Sequence, residues 1–260
     1  MKTGIFQSAA HGQSANERIT RLESYIEKQD LDLIVCPELF LSGYNIGNEL
    51  NTLAEAVEGE SSNRIAELAR RHQTAIIYGY PENSNGETFN SALCIDSKGR
   101  IVANHRKLLL PPGFEANHFA GGNTLTLFDL NGIRCAILIC YDCEYPESVR
   151  AVAESGAKII IVPTALSDQW GVVAEKLIPS RAFENGVWMV YANHAGSENG
   201  IRYFGGSCIV NPTGNDAARA DSTESFISTD IDIAAVDRAQ KRLPYVTRAT
   251  ELRALLNISS

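Results

Sequence analysis

The residues with the clearest chemical potential in this sequence surround a cysteine at the end of an apolar run. Residues 135–139 are apolar, Cys140 follows them, and an acidic segment then leads to Pro146 and Glu147. The run is short and contains β-branched residues, which is typical of a buried strand. Proline suits the first position of a helix, and glutamate suits its positive end. Cys140 is therefore predicted at the carboxyl edge of a strand, where an α/β sheet exposes reactive groups, and we interpret it as a nucleophile.

Cysteines also have less reactive uses, and these must be weighed. A cysteine is often a small buried hydrophobe. The spacing Cys140-x-x-Cys143 is compatible with a redox pair or with half of a zinc site. The sequence has no second such motif and no histidine pair at ligand spacing, so a metal site has little support. A non-catalytic or redox protein that uses Cys140 and Cys143 stays as an alternative. The four cysteines in or beside apolar runs, which we expect in the core, are Cys36, Cys94, Cys135 and Cys208.

Two further ionisable residues come at the ends of predicted strands. Glu38 follows the apolar strand 33–36 and is flanked by Pro37 and by an apolar segment. A carboxylate in apolar surroundings has a raised pKa and can exchange protons near neutrality, although a lone carboxylate here is more often a cap or a surface group. Lys107 ends the second arm of a hairpin predicted within 91–105. Taken alone, such a lysine is usually solvated.

Together, these side chains predict hydrolysis of a carbon–nitrogen bond. A free thiol is only a few per cent thiolate at pH 7, so a nucleophilic cysteine needs a base or a positive neighbour. Glu38 would take the thiol proton, pass it to the leaving amine and later activate water. The Lys107 ammonium and the N–H of Tyr141 would hold the oxyanion. The scheme passes through a thioester and uses no metal and no cofactor. That the three side chains meet is an inference from strand ends and does not follow from spacing.

Length, composition and net charge indicate the domain organisation and exclude some classes of partner. The 260 residues contain no linker-like segment and no repeat, so we expect a single domain over 1–260 with one large core. A net charge of −8 argues against nucleic acid and anionic membranes as partners. We recognise no signal peptide and no apolar run of membrane-spanning length. Six cysteines in such a chain favour free thiols and a cytoplasmic location. The tail 242–260 has little periodicity, and we expect it at a subunit interface.

The order of predicted elements indicates the fold class. Strands and helices alternate, and the clearest hairpin joins 125–130 to 133–139 through the turn Asn131-Gly132. A further strand is predicted over 203–210, and Pro179 is expected to kink or restart a helix. These features predict an α/β fold with two mixed sheets face to face and helices outside.

Three segments resemble the signature segments of the nitrilase superfamily of carbon–nitrogen hydrolases. The segments are 35–40 (VCPELF), 105–108 (HRKL) and 140–147 (CYDCEYPE). The likeness extends from the first strand to about Gly214. It implies an α-β-β-α sandwich that usually dimerises, and it makes Glu38 the general base and acid, Lys107 the oxyanion stabiliser and Cys140 the nucleophile. It also makes Glu115 a second glutamate that positions lysine and substrate.

Within the superfamily, the chain resembles the aliphatic amidase branch. The segments that carry this likeness are 41–47, 78–82, 181–185 and 191–193. They are similar to the 5-aminopentanamidases, which hydrolyse an ω-amino amide. The resemblance implies that the substrate is a small-molecule aliphatic amide, ω-amino or not, and that the enzyme is a homodimer or a larger even oligomer. An N-carbamoyl amine hydrolase or a nitrilase of the same superfamily is the alternative.

The substrate-binding residues are less well determined by this resemblance. Glu144 matches an acidic position of the branch, where it either pairs with a substrate ammonium or only fixes the local loop. Trp170 is either a wall of the pocket or a packing residue. Glu147 and Arg181 match recurrent family positions that we interpret as structural. Cys143 and the loop 166–170 depart from the branch pattern, which leaves the substrate open.

Overall fold

Fifteen strands and eight α-helices are present in a computed structural model that describes residues 1–10 and 12–256. In chain order the strands are β1 (Lys2–Gln7), β2 (Ala9–Ala10), β3 (Leu33–Val35), β4 (Ala75–Ser84), β5 (Glu87–Ile95), β6 (Ile101–Arg106), β7 (Thr126–Leu130), β8 (Ile133–Ile137), β9 (Ile159–Pro163), β10 (Trp188–Ala192), β11 (Ala195–Glu198), β12 (Ile201–Arg202), β13 (Cys208–Val210), β14 (Asp216–Arg219) and β15 (Ser225–Asp230). The α-helices are α1 (Ala15–Ile26), α2 (Glu49–Leu53), α3 (Glu60–His72), α4 (Phe114–His118), α5 (Pro146–Glu154), α6 (Ile178–Asn185), α7 (Ala234–Arg242) and α8 (Tyr245–Leu255).

The strands form two six-stranded mixed sheets and one small sheet. The first sheet has the order β15-β1-β3-β4-β5-β6 and the second has the order β14-β13-β10-β9-β8-β7. The small sheet is β12-β11-β2. The central strands of each large sheet are parallel: β1, β3 and β4 in the first, and β8, β9 and β10 in the second. Since parallel neighbours end at the same edge, the segments that follow them are brought together.

Three apolar layers hold the sheets and helices together in an α-β-β-α sandwich. The central layer joins the two sheets and includes Val35 and Ile77 from the first and Ile137 and Ile161 from the second. The outer layers place α1 and α3 on the first sheet, and α5 and α6 on the second. Neighbouring residues in a strand face different layers, so the central strands are apolar on both faces. This explains the continuous apolar runs of the sequence, and it confirms the predicted fold class.

Local signals in the sequence correspond to the helix boundaries. Ser14 caps α1, with Glu17 N–H donating to Ser14 Oγ at 3.3 Å and Ser14 N–H donating to Glu17 Oε2 at 2.8 Å. Pro146 lies in the first turn of α5, as predicted. Pro179 lies in the first turn of α6, which follows one turn of π-helix at Val173–Leu177. Proline restarts the helix there because a first-turn residue needs no N–H partner.

The strand predicted over 203–210 is wrong in its first half. Only Cys208–Val210 is a strand. Gly205 and Gly206 have φ values of 68° and 62°, which are left-handed and cannot continue a strand. The hairpin at Asn131-Gly132 is confirmed, and both turn residues have the positive φ that a primed turn requires.

The C-terminal tail continues the fold as helix. Helix α8 packs against α5 and α6, and Arg253 Nη2 lies 2.7 Å from Glu154 Oε1. That the tail lies at a subunit interface stays a prediction, and residues 257–260 lie outside the described part of the chain. Among the described helices, none combines the length and apolar character needed to cross a membrane.

Candidate active site

Cys140 lies where the chain leaves the second sheet. It follows the β8 segment and begins a 3₁₀ turn, Cys140–Glu144, that leads directly into α5. Its φ is 44°, an unfavourable value for a side chain other than glycine. Strained backbone of this kind often occurs at functional sites, where the surrounding structure enforces it. The Cys140 side chain stays partly accessible.

Lys107 lies between two carboxylates in the interior. Its Nζ is 2.7 Å from Glu38 Oε1 and 2.6 Å from Glu115 Oε1, and the three side chains are at most 1% exposed. Glu38 comes from the segment after β3, and Lys107 directly follows β6. Glu115 lies in the short helix α4. The structure therefore brings the predicted base, cation and second glutamate into direct contact.

Asn90, on β5, holds both carboxylates from another side. Its Nδ2 donates to Glu38 Oε1 at 2.7 Å and to Glu115 Oε2 at 3.2 Å. Glu38 Oε1 thus accepts from both Lys107 and Asn90. Glu38 Oε2 is buried and has no hydrogen-bond partner among the residues that the structure describes.

Burial and the neighbouring charges shift the pKa values of Glu38, Lys107 and Cys140. Burial raises the pKa of the Glu38 carboxyl to about 7, with Lys107 opposing the rise and Glu115 adding to it. Burial alone would lower the pKa of Lys107, but Glu38, Cys140 and Glu115 together raise it above its ordinary value. Burial, followed by the charge of Glu38, raises the pKa of the Cys140 thiol, and Lys107 opposes this. At neutral pH the resting site therefore holds a neutral thiol, an ammonium and a carboxyl that titrates near neutrality.

The backbone at Glu38 is packed tightly on all sides. A β-carbon at Gly79 would lie 2.7 Å from both Cα and the carbonyl carbon of Glu38, so only glycine fits beneath it. The Glu38 carbonyl oxygen is 2.7 Å from His194 Nε2. Burial lowers the pKa of His194 to about 4, so the ring is neutral and donates through Nε2. Leu39, the next residue, has a positive φ of 48°. These contacts fix the main chain at Glu38, from which its side chain extends to Lys107 and Asn90.

Asp142 links the lysine segment to the cysteine turn. Its Oδ1 accepts the N–H groups of Leu108 and Leu109, both at 3.0 Å. Its Oδ2 accepts the N–H of Ile139 at 3.1 Å and lies 3.2 Å from His105 Nε2. One buried carboxylate thus fixes the residues after Lys107 against the residue before Cys140.

Arg181 supports the same turn from helix α6. Its Nε donates to the Cys143 carbonyl at 3.3 Å, and its Nη2 donates to the Glu144 carbonyl at 2.6 Å. These carbonyls belong to the last residues of the turn that carries Cys140. The contacts agree with a structural use of Arg181, whereas Glu147 is exposed.

A cavity of about 500 Å³ opens above Cys140. Glu115, Tyr141, Glu144 and Trp170 line it as well, so all four predicted substrate-binding residues reach the same space as the thiol. Its other walls are mostly apolar. They are formed by Tyr44, Pro111, Pro112, Phe114, Ala165, Leu166, Ser167, Val173 and Ile201. A concave, largely apolar site with a few convergent polar groups is typical of small-molecule binding.

The polar groups of the cavity differ in their partners. Within the described chain, the Glu144 carboxylate makes no hydrogen bond, and burial raises its pKa against the opposing charges of Lys107 and Arg181. The Tyr44 hydroxyl donates to Glu115 Oε1 at 2.6 Å. Trp170 is 59% exposed at the cavity wall. Glu144 is therefore the carboxylate of the cavity wall that is available to bind a ligand.

Asn90, Tyr44 and His194 were not singled out from the sequence. Tyr44 lies in a segment that carried the family resemblance, but its hydroxyl had no assigned partner. Asn90 lies in the first half of β5, beside the polar residues Thr88 and Ser91, and nothing local in the sequence marks it as a site residue.

One group of potential metal ligands lies away from the cavity. Glu23, Glu27 and His72 have ligand atoms within 4.8 Å of one another, on helices α1 and α3 and the residue after α1. Glu23 Oε1 is already 3.5 Å from His72 Nε2 and pairs with Arg71. None of these residues lines the cavity.

Comparison with known proteins agrees with this site. Residues 6–241 match the carbon-nitrogen hydrolase family. The chain is 41% identical over 236 residues to the "Hydrolase in pqqF 5'region" of Pseudomonas protegens, which covers 89% of this chain and 83% of the relative. It is 33% identical over 218 residues to an (R)-stereoselective amidase of a Pseudomonas species, which covers 84% of this chain and 79% of that enzyme.

A solved structure with the same fold carries a modified cysteine. It is a variant of the amidase from Nesterenkonia sp. AN1 that shows Michael addition of acrylamide at the active-site cysteine. The two chains superpose with a TM-score of 0.80 at 26% identity, over 94% of this chain and 98% of the amidase. The resemblance drawn from the three sequence segments is thereby confirmed. The chain belongs to the carbon-nitrogen hydrolase family, within the nitrilase superfamily, and is an enzyme of that family.

Proposed function

We propose that the protein hydrolyses a small linear amide to a carboxylate and ammonia through a thioester on Cys140. The observation that carries the proposal is the contact of Lys107 with both Glu38 and Glu115 beside a thiol that lines an apolar cavity. A base, a cation and a nucleophile in one water-poor site are the groups that acyl transfer to sulfur requires.

Acylation begins at the free oxygen of Glu38. Oε2 takes the Cys140 proton as the sulfur attacks the amide carbon, and a tetrahedral intermediate forms. Its oxyanion is stabilised by the Lys107 ammonium and the N–H of Tyr141, since the first N–H groups of a helical turn have no partner within it. Glu38 then returns the proton to the amide nitrogen, the carbon–nitrogen bond breaks, and ammonia leaves a thioester behind.

Deacylation uses the same groups, with water as the nucleophile and the Cys140 sulfur as the leaving group. Glu38, again a carboxylate, takes a proton from water as the oxygen attacks the thioester carbon. The second oxyanion is held in the same place, and its collapse breaks the carbon–sulfur bond. The proton on Glu38 passes to the sulfur, which restores the thiol. A carboxyl whose pKa is about 7 suits both proton acceptance and proton return at neutral pH.

The cavity favours an amide that carries a positive charge at its far end. Glu115 and Glu144 both line the mostly apolar cavity. The Glu115 carboxylate is already hydrogen-bonded, whereas that of Glu144 makes no hydrogen bond within the described chain. An ω-ammonium would neutralise it while the methylene groups of the substrate contact Leu166, Val173 and Ile201. Trp170 would cover the mouth. The ω-amino amides are therefore our proposed substrate class.

The redox alternative is less well supported than hydrolysis. Cys140 packs against the layer between the two sheets, whereas Cys143 is fully buried in the layer between the second sheet and its helices. Both are free thiols. A pair used for disulfide exchange needs both sulfurs on one accessible side. We further propose a cytoplasmic location, in agreement with the free thiols, and an even homo-oligomer, as the family resemblance implies.

The decisive experiment measures product release from a matched set of compounds. Purified protein is incubated with amides of three to six carbons, each with and without an ω-amino group, and with the corresponding nitriles and N-carbamoyl amines. Ammonia release from the amides alone, fastest with the ω-amino members, is the expected result. Turnover of the nitriles, or carbon dioxide release from the N-carbamoyl compounds, without amide hydrolysis would identify a nitrilase or an N-carbamoyl amine hydrolase instead. No product from any compound of the set would refute the proposal.

A further inference from the structure

Asn90, like Lys107, donates hydrogen bonds to both carboxylates of the cluster. It is fully buried, and its Nδ2 contacts Glu38 Oε1 and Glu115 Oε2. Its main-chain carbonyl accepts the N–H of Lys107 at 2.8 Å. Asn90 therefore contacts all three charged members without lining the cavity.

The orientation of the Asn90 amide follows from its partners. Ionised carboxylates only accept hydrogen bonds, so the group that faces both of them is the NH₂. Its two hydrogens lie in a plane at fixed angles, and each serves one carboxylate. An ammonium such as that of Lys107 is a point charge on a flexible stem and imposes no such plane. The planar donor, in contrast, fixes how the Glu38 carboxylate is rotated.

The consequence concerns the two oxygens of Glu38. Oε1 accepts from Lys107 and from Asn90, whereas Oε2 has no partner among the described residues. An oxygen that already accepts two charge-strengthened hydrogen bonds is the poorer proton acceptor. We propose that Asn90 is a positioning residue that holds the Glu38 carboxylate with Oε2, and not Oε1, turned to exchange the proton with Cys140. This inference rests on the function proposed above.

Other groups also act on Glu38 and must be considered in any pH experiment. Those that face its side chain are Lys107, Glu115, Cys140, Tyr44 and Tyr203, and His194 holds its main-chain carbonyl. None of the other side chains donates a planar pair of hydrogens to two carboxylates. The hydrogen bond from Asn90 lowers the pKa of Glu38, so its loss should raise that pKa further.

The test replaces the donor by an acceptor of the same shape. Asn90→Asp should reduce kcat about 10²-fold, the usual cost of a misplaced catalytic group. KM should stay within about twofold, because Asn90 does not line the cavity. The acid limb of the pH profile should move to higher pH. Ser91→Ala is the matched control, since the same strand loses one buried hydrogen bond, from Ser91 Oγ to Glu82 Oε2 at 2.7 Å. Ser91→Ala should change neither kcat nor the acid limb of the pH profile.

A second measurement does not depend on amide turnover. Acrylamide adds to a thiol when the sulfur bonds to the terminal alkene carbon and a proton is delivered to the carbon beside the carbonyl. Mass spectrometry follows this addition at Cys140 as a function of pH. Asn90→Asp, or Asn90→Ala if the first variant does not fold, should shift the pH dependence of the addition rate upward. In a Glu38→Gln background, the same substitution should cause no further loss.

The outcomes separate the two proposals. If no amide is hydrolysed but the addition profile shifts as expected, the proposed function fails and the positioning of Glu38 stands. A folded Asn90 variant with the wild-type addition profile and kcat overturns the inference. An equal loss of rate in the Glu38→Gln background overturns it too, because Asn90 would then act through another group.

Discussion

His105 and Asp142 form a fully buried pair in which Nε2 lies 3.2 Å from Oδ2. The same carboxylate accepts three main-chain N–H groups from the two segments that hold Lys107 and Cys140. Removing charge at Asp142 therefore affects stability and the alignment of the site together.

Asp142→Asn should lower the free energy of unfolding by about 3 kcal/mol, the scale for a disrupted buried charged hydrogen bond. It should also lower kcat, because the lysine segment is released from the cysteine turn. Urea unfolding and ammonia release measure the two effects. Asp129→Asn removes an exposed partner of Arg134 and should change the free energy of unfolding by less than about 0.5 kcal/mol. Equal stability of the two variants would contradict this reading of Asp142.

Cys140→Ser should abolish turnover and leave the fold intact. A hydroxyl is a far weaker acid than a thiol, and a carboxylate with a pKa of about 7 cannot ionise it, so we expect a loss of more than about 10³-fold. Circular dichroism and ammonia release provide the check. Cys143→Ala is the companion variant. It removes a buried sulfur from the core and should keep ammonia release, because the proposed reaction uses only the Cys140 sulfur. Loss of ammonia release from a folded Cys143→Ala variant would contradict that assignment.

The pH dependence of kcat/KM should have an acid limb near 7. Burial raises the pKa of Glu38 to about 7, and only the ionised form accepts the thiol proton. As pH falls through 7 the carboxylate is protonated, so activity is lost on the acid side and regained on the alkaline side. Initial rates between pH 5 and 9 measure the limb. A limb below pH 5 would mean that Glu38 is not the titrating group.

Gly79→Ala should displace Glu38 without touching any ionisable group. The added methyl would lie 2.7 Å from the Glu38 main chain, and relieving this contact requires a shift of the backbone, which costs stability. We expect a loss of about 2 kcal/mol in the free energy of unfolding, together with a reduced kcat. Gly12→Ala adds the same methyl in open space and is the control. A Gly79 variant with wild-type kcat would show that the close approach has no catalytic consequence.

Glu144→Gln should separate charged from neutral substrates. Loss of a charge-assisted hydrogen bond to an ω-ammonium should lower kcat/KM for the ω-amino amide by about 10-fold or more. The neutral amide of equal length should change little. Glu147→Gln, at an exposed position outside the cavity, controls for net charge. Equal losses with both substrates would indicate that Glu144 only fixes its loop.

The fold class was predictable because buried strands and hairpins follow local patterns. Apolar runs before Pro37-Glu38 and before Cys140 indicated strand ends, whereas the use of Glu38, Lys107 and Cys140 together came from the family resemblance and not from a local pattern. The half-strand before Cys208 was predicted wrongly because Gly205 and Gly206 have positive φ values that end the extended backbone. Periodicity carries no information about φ.

The contacts of Asn90 could not be predicted from local sequence patterns. Its carboxylate partners are 52 and 25 residues away along the chain, and no local pattern reports contacts at that separation. The same is true of His194, which lies 156 residues from the carbonyl that it holds. Groups that meet only through tertiary packing need coordinates to be recognised.

The fluorescence of the exposed Trp170 indole at the cavity wall can report ligand binding. The chain has two tryptophans. Trp170 borders the cavity in contact with solvent, while Trp188 is 5% exposed and donates its indole N–H to the Asp232 carbonyl at 3.0 Å. A ligand that enters should shift the fluorescence emission of Trp170 to shorter wavelength and leave that of Trp188 as an internal reference. Trp170→Phe should erase the shift, so that occupancy of the site can be followed without any label and before any bond is broken.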